Sequence, residues 1–216
     1  LHRLIRRQRQ MCIRDRPQSD RDPAHLQGHW LLARIGKHVL RPGGKKLTER
    51  MLANADIAGK DVVEFAPGLG LTTRAILERD PKSYRGVDRD PQVVDIISKL
   101  TSEKATIPAS CVQRDAADTG LESNSADVVI GEAMLTMQTE RGKQAIIGEA
   151  FRLLRAGGTY SIHELGLQPD NLDESVKDEV RKALARSIKV NARPLTEQES
   201  VSYTHLRAHE TRRHLV

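Results

Sequence analysis

The sequence predicts an α/β fold with a doubly wound, mainly parallel sheet, and three observations lead to this prediction. Short apolar segments of strand character alternate with longer segments of helical periodicity. The segment Asp61–Gly70, which reads DVVEFAPGLG, runs from a buried strand through a sharp glycine turn into a helix. Polar residues lie at or directly after the carboxyl ends of four of the five predicted strands. Strand and helix in alternation imply right-handed crossovers and a parallel sheet covered on both faces.

The spacing of apolar residues and the turn residues between them give the individual elements. Two helices are expected before the first strand, at Leu26–Leu40 and Lys46–Ala55, separated by Arg41-Pro42-Gly43-Gly44. Strands are predicted at Val62–Phe65, Tyr84–Val87, Cys111–Gln113, Asp127–Ile130 and Thr159–His163. Helices are predicted at Leu71–Glu78, Pro91–Leu100, Glu140–Arg155 and Leu172–Val190.

Both chain ends resemble translated sequencing-library adapters. Arg6–Asp15 and Val201–Thr211 back-translate without a gap to adapter sequences of opposite ends. We therefore expect residues 1–16 to be adapter-derived and disordered, residues 201–216 to be an adapter-derived tail, and the natural insert to be about Pro17–Ser200. The alternative is an ordinary basic arm that binds an acidic partner.

The charge of the chain depends on these ends. The whole chain carries 35 basic and 29 acidic residues, of which the two ends hold 9 and 2, so the insert has a charge of 26 − 27 = −1. A nucleic-acid or anionic-membrane partner is therefore not expected. Cys111 is the single cysteine of the insert, so no disulfide is expected and a reducing cytoplasm is the predicted location. No apolar run approaches the roughly 18 residues of a membrane span.

The polar residues after the predicted strands are the candidate site residues, because ligands of doubly wound sheets bind beyond the carboxyl ends of the strands. Asp88 follows Gly70 by 88 − 70 = 18 residues, and a carboxylate there can accept hydrogen bonds from both hydroxyls of a ribose. Asp115 and Ala116 are candidates for contact with an adenine. Glu132 and His163 are the catalytic candidates. Asp88 could instead begin a turn, and His163 could be a hydrogen-bonded strand-end histidine without a catalytic role.

The glycine turn between the first strand and the following helix suits a nucleotide-type cofactor. Gly68 and Gly70 can adopt backbone conformations closed to other residues and leave no side chain between the main chain and a ligand. Free N–H groups at the start of the helix add donors to that surface. Tight packing alone would also account for these glycines.

Five segments in this order resemble the motifs of the class I S-adenosylmethionine-dependent methyltransferases, over most of Lys46–Glu199. The segments are DVVEFAPGLG, GVDRDP, CVQRDAAD, ADVVIGEA and EAFRLLRAGGTYSIHEL. The resemblance implies a Rossmann-like fold, S-adenosyl-L-methionine as the cofactor and an incomplete methyltransferase domain at 46–200. The predicted helix Leu26–Leu40 places an N-terminal helical segment at 17–45 before it. It implies that the amino-acid part of the cofactor lies on the first segment, the ribose on the second and the adenine on the third. The implied cofactor-binding residues are Glu64, Ala66, Pro67, Gly68, Leu69, Gly70, Asp88, Arg89, Asp115, Ala116 and Glu132.

The chain departs from the family in two respects. Ala66 stands where the family usually has its first glycine, and Ala156 stands where proline is common. The family fold also continues past the fifth strand into a further helix and two strands, so we expect the C-terminal part of the sheet to be missing. An uncovered edge on the fifth strand predicts poor solubility.

The expected activity is methyl transfer to a small-molecule acceptor by direct in-line displacement, with Glu132 or His163 as a general base. The acceptor and the methylated atom, whether O, N, C or S, are left open, as is the oligomeric state. No metal site is expected. Two alternatives remain: an NAD-dependent Rossmann oxidoreductase, whose G-x-G-x-x-G spacing this chain lacks, and an inactive truncated methyltransferase fragment.

Overall fold

The computed structural model of the protein describes residues 43–188 and 191–196. In chain order the elements are α1 (Gly44–Ala55), β1 (Asp61–Phe65), α2 (Leu71–Leu77), β2 (Ser83–Asp88), α3 (Pro91–Lys104), β3 (Ala109–Gln113), β4 (Ala126–Glu132), a 3₁₀ helix (Leu135–Met137), α4 (Glu140–Leu153), β5 (Leu154–His163), β6 (Gly166–Leu167), α5 (Glu174–Ile188) and β7 (Leu195–Thr196). The predicted helix Leu26–Leu40 and the segments 1–16 and 201–216 lie outside the described residues.

Five parallel strands form the central sheet in the order β3-β2-β1-β4-β5. Strand β1 lies in the middle, with Phe65 opposite Val87 of β2 on one side and Gly131 of β4 on the other. The strand order changes direction here, and the carboxyl ends of these three strands lie side by side. The predicted α/β, doubly wound, mainly parallel fold is confirmed.

An apolar cluster covers each face of the sheet. On one face, α1 and α3 pack over β1, β2 and β4 through Met51, Leu52, Ile97, Leu100, Val62, Tyr84, Val128 and Ile130. On the other face, α4 packs over the same sheet through Ile146, Ala150, Leu153, Val63, Phe65, Val87 and Val129. Alternate residues of β1 point to opposite faces, so Glu64 shares the face of Val62 and lies under the first group of helices. All five residues of β1 are buried.

Several predicted helix boundaries were wrong, and the largest difference is at α3, which was predicted to end at Leu100 and continues to Lys104. The helix predicted at Glu140–Arg155 ends at Leu153, because Leu154 already pairs with Ala126 of β4. The next residue, Arg155, is held at this edge of the sheet by Asp127 at 2.8 Å and Asp61 at 3.0 Å. The helix predicted at Leu172–Val190 runs over Glu174–Ile188, with Val190 outside the described residues.

A short second sheet was not predicted. Strands β6 and β7 pair in parallel, with Gly166 opposite Leu195 and Leu167 opposite Thr196. The segment that carries β7 is tied to the domain at Arg193, whose backbone N–H donates to the Thr136 carbonyl at 2.7 Å. The buried Lys143 ammonium donates to the carbonyl of Arg193 at 2.6 Å. Among the described helices, none has both the length and the apolar character needed to cross a bilayer.

Candidate active site

The turn after β1 is built from left-handed backbone. Ala66, Gly68 and Gly70 have φ angles of 53°, 55° and 74°. A Cβ on Gly70 would lie 2.8 Å from Leu100 Cδ2 and 3.0 Å from Ile97 Cδ1, so this glycine permits the turn to pack on α3. The turn is closed by the backbone N–H of Gly70, which donates to the Pro67 carbonyl at 3.0 Å.

Gly68 differs from Gly70 in what surrounds it. A Cβ on Gly68 would meet nothing closer than the Ala66 carbonyl at 4.0 Å. The position has a left-handed backbone and open space above it, which is the shape that a ligand in contact with the main chain requires. Pro67 is buried beneath this turn, whereas Leu69 is half-buried.

Asp88 joins the end of β2 to the glycine turn. Burial raises the pKa of Asp88, and hydrogen bonds from the backbone N–H groups of Asp90, Arg89 and Gly68 oppose that shift. The N–H of Asp90 donates to Asp88 Oδ1 at 2.9 Å. A half-buried carboxylate gains from further donors, and the two hydroxyls of a ribose are donors of that kind. The residue that caps α3 is Asp90, whose carboxylate accepts from the Gln92 N–H at 2.9 Å.

Asp115 and Ala116 follow β3 at the same edge. The Asp115 carboxylate accepts from the Ala117 N–H at 2.8 Å and lies 3.6 Å from the Arg89 guanidinium. The side chain of Arg89 is exposed, and that of Ala116 is buried. Because β2 and β3 are neighbours, these residues extend the site from Asp88 toward the edge of the sheet.

The structure places Glu64 differently from the other predicted cofactor residues. Its side chain is 2% exposed. Glu64 Oε2 accepts hydrogen bonds from the Tyr84 hydroxyl and the Thr73 hydroxyl, both at 2.7 Å. Glu64 therefore connects the end of β1 to β2 and α2 within the protein interior.

The two catalytic candidates are in direct contact. His163 Nδ1 lies 2.8 Å from Glu132 Oε1 at the carboxyl ends of β5 and β4. Glu132 Oε2 accepts from the Thr72 hydroxyl at 2.6 Å, and Glu132 Oε1 accepts from the Thr48 hydroxyl. The four side chains come from α1, α2, β4 and β5, and sequence reasoning missed both threonines.

Glu164 is a further residue that sequence reasoning did not assign to the site. Its carboxylate accepts from the backbone N–H groups of Met134 and Leu135, both at 2.7 Å, and of Thr136 at 3.1 Å. It also accepts from the Thr136 hydroxyl at 2.6 Å. Burial raises the pKa of Glu164, and these four donors oppose the shift. The end of β5 thereby fixes the segment that follows β4, including the exposed Met137.

No group of three or more potential ligand residues that could hold a metal ion occurs in residues 43–188 and 191–196.

A family model described as a methyltransferase domain matches residues 62–158, which contain the glycine turn, Asp88, Asp115 and Glu132. The matched segment is thus a methyltransferase domain of the S-adenosylmethionine-dependent type. The motif-based recognition is thereby confirmed, and this is a family of enzymes.

Known proteins are similar to this methyltransferase over most of its length. An uncharacterized protein of Haemophilus influenzae is 35% identical over 177 residues, which cover 78% of this chain and 66% of that protein. The YcgJ protein of Bacillus subtilis has a TM-score of 0.61 at 17% identity, covering 72% of this chain and 64% of its own. A third similar protein is phosphoethanolamine N-methyltransferase 2 of Haemonchus contortus, solved with phosphomonomethylethanolamine and S-adenosylhomocysteine. Its TM-score is 0.62 at 17% identity, and the match covers 78% of this chain and 38% of that protein. The chain thus spans just under two thirds of the length of the first two proteins.

The carboxyl edge of the sheet fits the cofactor of this family. Gly68 leaves open space over a left-handed backbone, and Asp88 presents a half-buried carboxylate at the end of the neighbouring strand. Asp115 adds a polar group at the neighbouring strand end. Gly68 could therefore contact a ligand through its main chain, Asp88 could accept from ligand hydroxyls, and the ligand could extend along the sheet edge toward Asp115.

Proposed function

We propose that the chain is a cytoplasmic methyltransferase that uses S-adenosylmethionine to methylate a small molecule by direct in-line displacement. The observation that carries the proposal is the position of the Asp88 carboxylate at the end of β2, the neighbour of β1, whose following turn leaves open space at Gly68. The Asp115–Ala116 segment extends this surface along the sheet. The free thiol of Cys111 agrees with a reducing compartment.

Each proposed cofactor contact follows from a different strand end. The turn from Ala66 to Gly70 would hold the amino-acid part through its main chain, since Gly68 has no side chain in the way. The Asp88 carboxylate would accept from the ribose hydroxyls. Asp115 and the Ala116 backbone would lie beside the adenine, with the exposed Arg89 over it.

Bound there, the cofactor would supply a methyl group on a positively charged sulfur, already activated for transfer. The task left to the protein is to align the acceptor with that methyl group and to exclude water. Glu132 at the end of β4 accepts from Thr72, which follows the glycine turn, and His163 at the end of β5 contacts Glu132. Glu132 and His163 are the proposed catalytic pair of the site.

Calorimetric titration of the full chain with S-adenosylhomocysteine tests the proposal. We expect Asp88→Ala to weaken binding by about ten-fold to a hundred-fold, because a charge-assisted contact to hydroxyls contributes roughly 1.5–3 kcal/mol. Asp95→Ala is the matched control, since Asp95 is exposed on α3. Circular dichroism of each variant checks the fold.

The same titration separates the alternatives. A folded chain that ignores S-adenosylhomocysteine but binds NAD would favour the oxidoreductase. A folded chain that binds neither would favour an inactive fragment whose site never forms.

A further inference from the structure

His163 carries a buried nitrogen that the fold does not use. The residue is 5% exposed, and its Nδ1 lies 2.8 Å from Glu132 Oε1. Its Nε2 is buried and has no hydrogen-bond partner within the described part of the chain. Buried polar atoms are almost always hydrogen-bonded, so an unpartnered one at a site edge requires an explanation.

Glu132 fixes which nitrogen of His163 carries the proton. The Thr48 and Thr72 hydroxyls both donate to the Glu132 carboxylate, so this carboxylate acts as an acceptor on both oxygens. A carboxylate that accepts requires Nδ1 of His163 to be the donor. In the neutral imidazole, Nε2 is then an unprotonated nitrogen with a free lone pair.

The pair is linked to the proposed cofactor surface through Glu132 and Thr72. Thr72 is the second residue of α2, immediately after the glycine turn, and donates to Glu132 Oε2 at 2.6 Å. Glu132 ends β4, the direct neighbour of β1 at the point where the strand order changes direction. His163 is opposite Glu132 in the sheet register, and both side chains are less than a tenth exposed.

We propose that His163 Nε2 takes the proton from the incoming nucleophile, so that the methyl acceptor belongs to the class of compounds with an O–H, N–H or S–H group at the methylated atom. This inference rests on the proposed function and deepens it. It excludes tertiary amines and thioethers as acceptors, because these nucleophiles have no proton to lose.

The proposed transfer is balanced in atoms and charge. The acceptor atom forms a bond to the methyl carbon, the carbon–sulfur bond breaks, and its electron pair stays on sulfur. The acceptor proton moves to Nε2, and the resulting imidazolium is stabilised by the Glu132 carboxylate. Glu132, Thr48 and Thr72 act through His163 and are positioning residues.

A purely structural role for the pair makes a different prediction. The four side chains connect α1, α2, β4 and β5, so they also hold these elements together. Substitutions would then lower thermal stability and leave ligand discrimination at the reacting centre unchanged. The deciding experiment must therefore measure discrimination and use the folded protein.

Sinefungin is a suitable probe, because it carries a protonated amine in place of the methyl group that is transferred. We expect the full chain to bind sinefungin at least ten-fold more tightly than S-adenosylhomocysteine, since the amine can donate to Nε2. In His163→Phe, the two dissociation constants should become equal within about two-fold. Ser161→Ala, a buried change two residues earlier on the same face of β5, should keep the wild-type ratio.

The outcomes separate this inference from the proposed function. No binding of S-adenosylhomocysteine by the wild type would remove both. Binding without a preference for sinefungin, or a preference that survives in folded His163→Phe, would overturn the role of His163 and leave the proposed function intact. If His163→Phe does not fold, His163→Leu takes its place, because its side chain has no hydrogen-bonding atom.

Nitrogen NMR of the complex with S-adenosylhomocysteine gives a second readout that needs no variant of His163. We expect the tautomer with a proton on Nδ1 and none on Nε2, and we expect Glu132→Gln to weaken this preference. A proton on Nε2 in the wild-type complex would overturn the proposal. Methylation of a tertiary amine or a thioether at a rate unchanged in His163→Phe would overturn it as well.

Discussion

Ala66 is the residue at which this methyltransferase departs most visibly from its family, and the structure shows the conformational consequence. Its φ angle is 53°, a left-handed conformation that disfavours any residue with a Cβ. Its side chain is exposed, so it contributes no packing in return. The family preference for glycine here is therefore a preference for this backbone conformation.

Ala66→Gly should stabilise the protein by about 0.5–1 kcal/mol. Glycine removes the steric cost of a Cβ in the left-handed conformation, and this gain exceeds the stability lost through the greater conformational entropy of the unfolded chain. Urea unfolding measures the effect. Ala183→Gly is the control, since Ala183 is exposed in α5, where glycine should destabilise by about 1 kcal/mol. A loss of stability in Ala66→Gly would contradict the strained conformation.

At the residue scale, sequence patterns predicted the strand-end residues well and their partners poorly. Asp88, Asp115, Glu132 and His163 all lie at the carboxyl edge, because a parallel sheet brings those ends together. Thr48 and Thr72 gave no such signal, since a threonine inside a helix has no pattern of its own. The burial of the Glu64 side chain could have been foreseen, because Glu64 shares a face with Val62 in a strand whose residues are all buried.

At the scale of elements, buried carboxylates connect helices and strands to the loops. Glu149 of α4 accepts from the Thr119 backbone N–H at 2.9 Å and from the Thr119 hydroxyl at 2.5 Å, and its carboxylate is 2.7 Å from Arg152. Hydrogen bonding to Arg152 lowers the pKa of Glu149 to about 2. The loop after β3, which follows Asp115, is thereby anchored to α4.

Glu149→Gln should reduce the free energy of unfolding at pH 7 by about 2 kcal/mol, allowing for the partial exposure of Arg152. Because the folded pKa is lowered, this contribution is present above the unfolded pKa of roughly 4.3 and is lost as the pH falls toward 2. Urea unfolding from pH 7 to pH 2.5 (roughly the window defined by these two values) measures it. The lowered pKa of Glu149 would be contradicted if the difference in unfolding free energy between wild type and variant did not shrink across this window. Glu122→Gln is the control, since Glu122 is exposed and its substitution should cause no such difference.

Glu164→Gln should loosen the segment after β4 without displacing the rest of the sheet. The amide that replaces Oε2 is a donor, and it would face the Thr136 N–H and the Thr136 hydroxyl, which both donate to that oxygen now. Hydrogen exchange of the Thr136 amide should accelerate by roughly ten-fold or more. Amides of β1 should keep their rates, and Glu174→Gln on α5 is the exposed control. Unchanged exchange at Thr136 would show that the carboxylate does not hold this segment.

Helix boundaries and the short second sheet mark the limit of sequence reasoning for the elements. The end of α4 at Leu153 is decided by strand pairing at Leu154 and by the ion pairs of Arg155, which are contacts distant in sequence. The pairing of β6 with β7 joins segments almost 30 residues apart through two residues each. Local periodicity contains no information on either.

At the scale of the whole molecule, the described sheet has two open margins. Strand β3 pairs with β2, strand β5 pairs with β4, and no other described strand covers their outer sides. Exposed strand edges offer unpaired N–H and C=O groups to another chain. The expected poor solubility thus stays a prediction with a structural basis.

The full chain should associate as its concentration rises, because either margin can pair with a second copy. Gel filtration with light scattering over a hundred-fold range of concentration checks this. A monodisperse monomer throughout the range would contradict the prediction.

The arrangement of the whole sheet explains why the fold was predictable and the acceptor was not. The alternation of strands and helices and the glycine turn follow from patterns spread over residues 61–163, the same region that contains the strand ends. The acceptor side depends on loops and on contacts between them, such as the carboxylate of Glu164 on the segment after β4. Such contacts have no sequence signature.

The most direct test of the central claim is a crystal structure of the full chain with S-adenosylhomocysteine. We expect the ribose hydroxyls within hydrogen-bond distance of the Asp88 carboxylate, the amino-acid part against the Gly68 backbone and the adenine beside Asp115 and Ala116. A ligand bound away from this edge of the sheet, or one whose ribose does not contact Asp88, would contradict it.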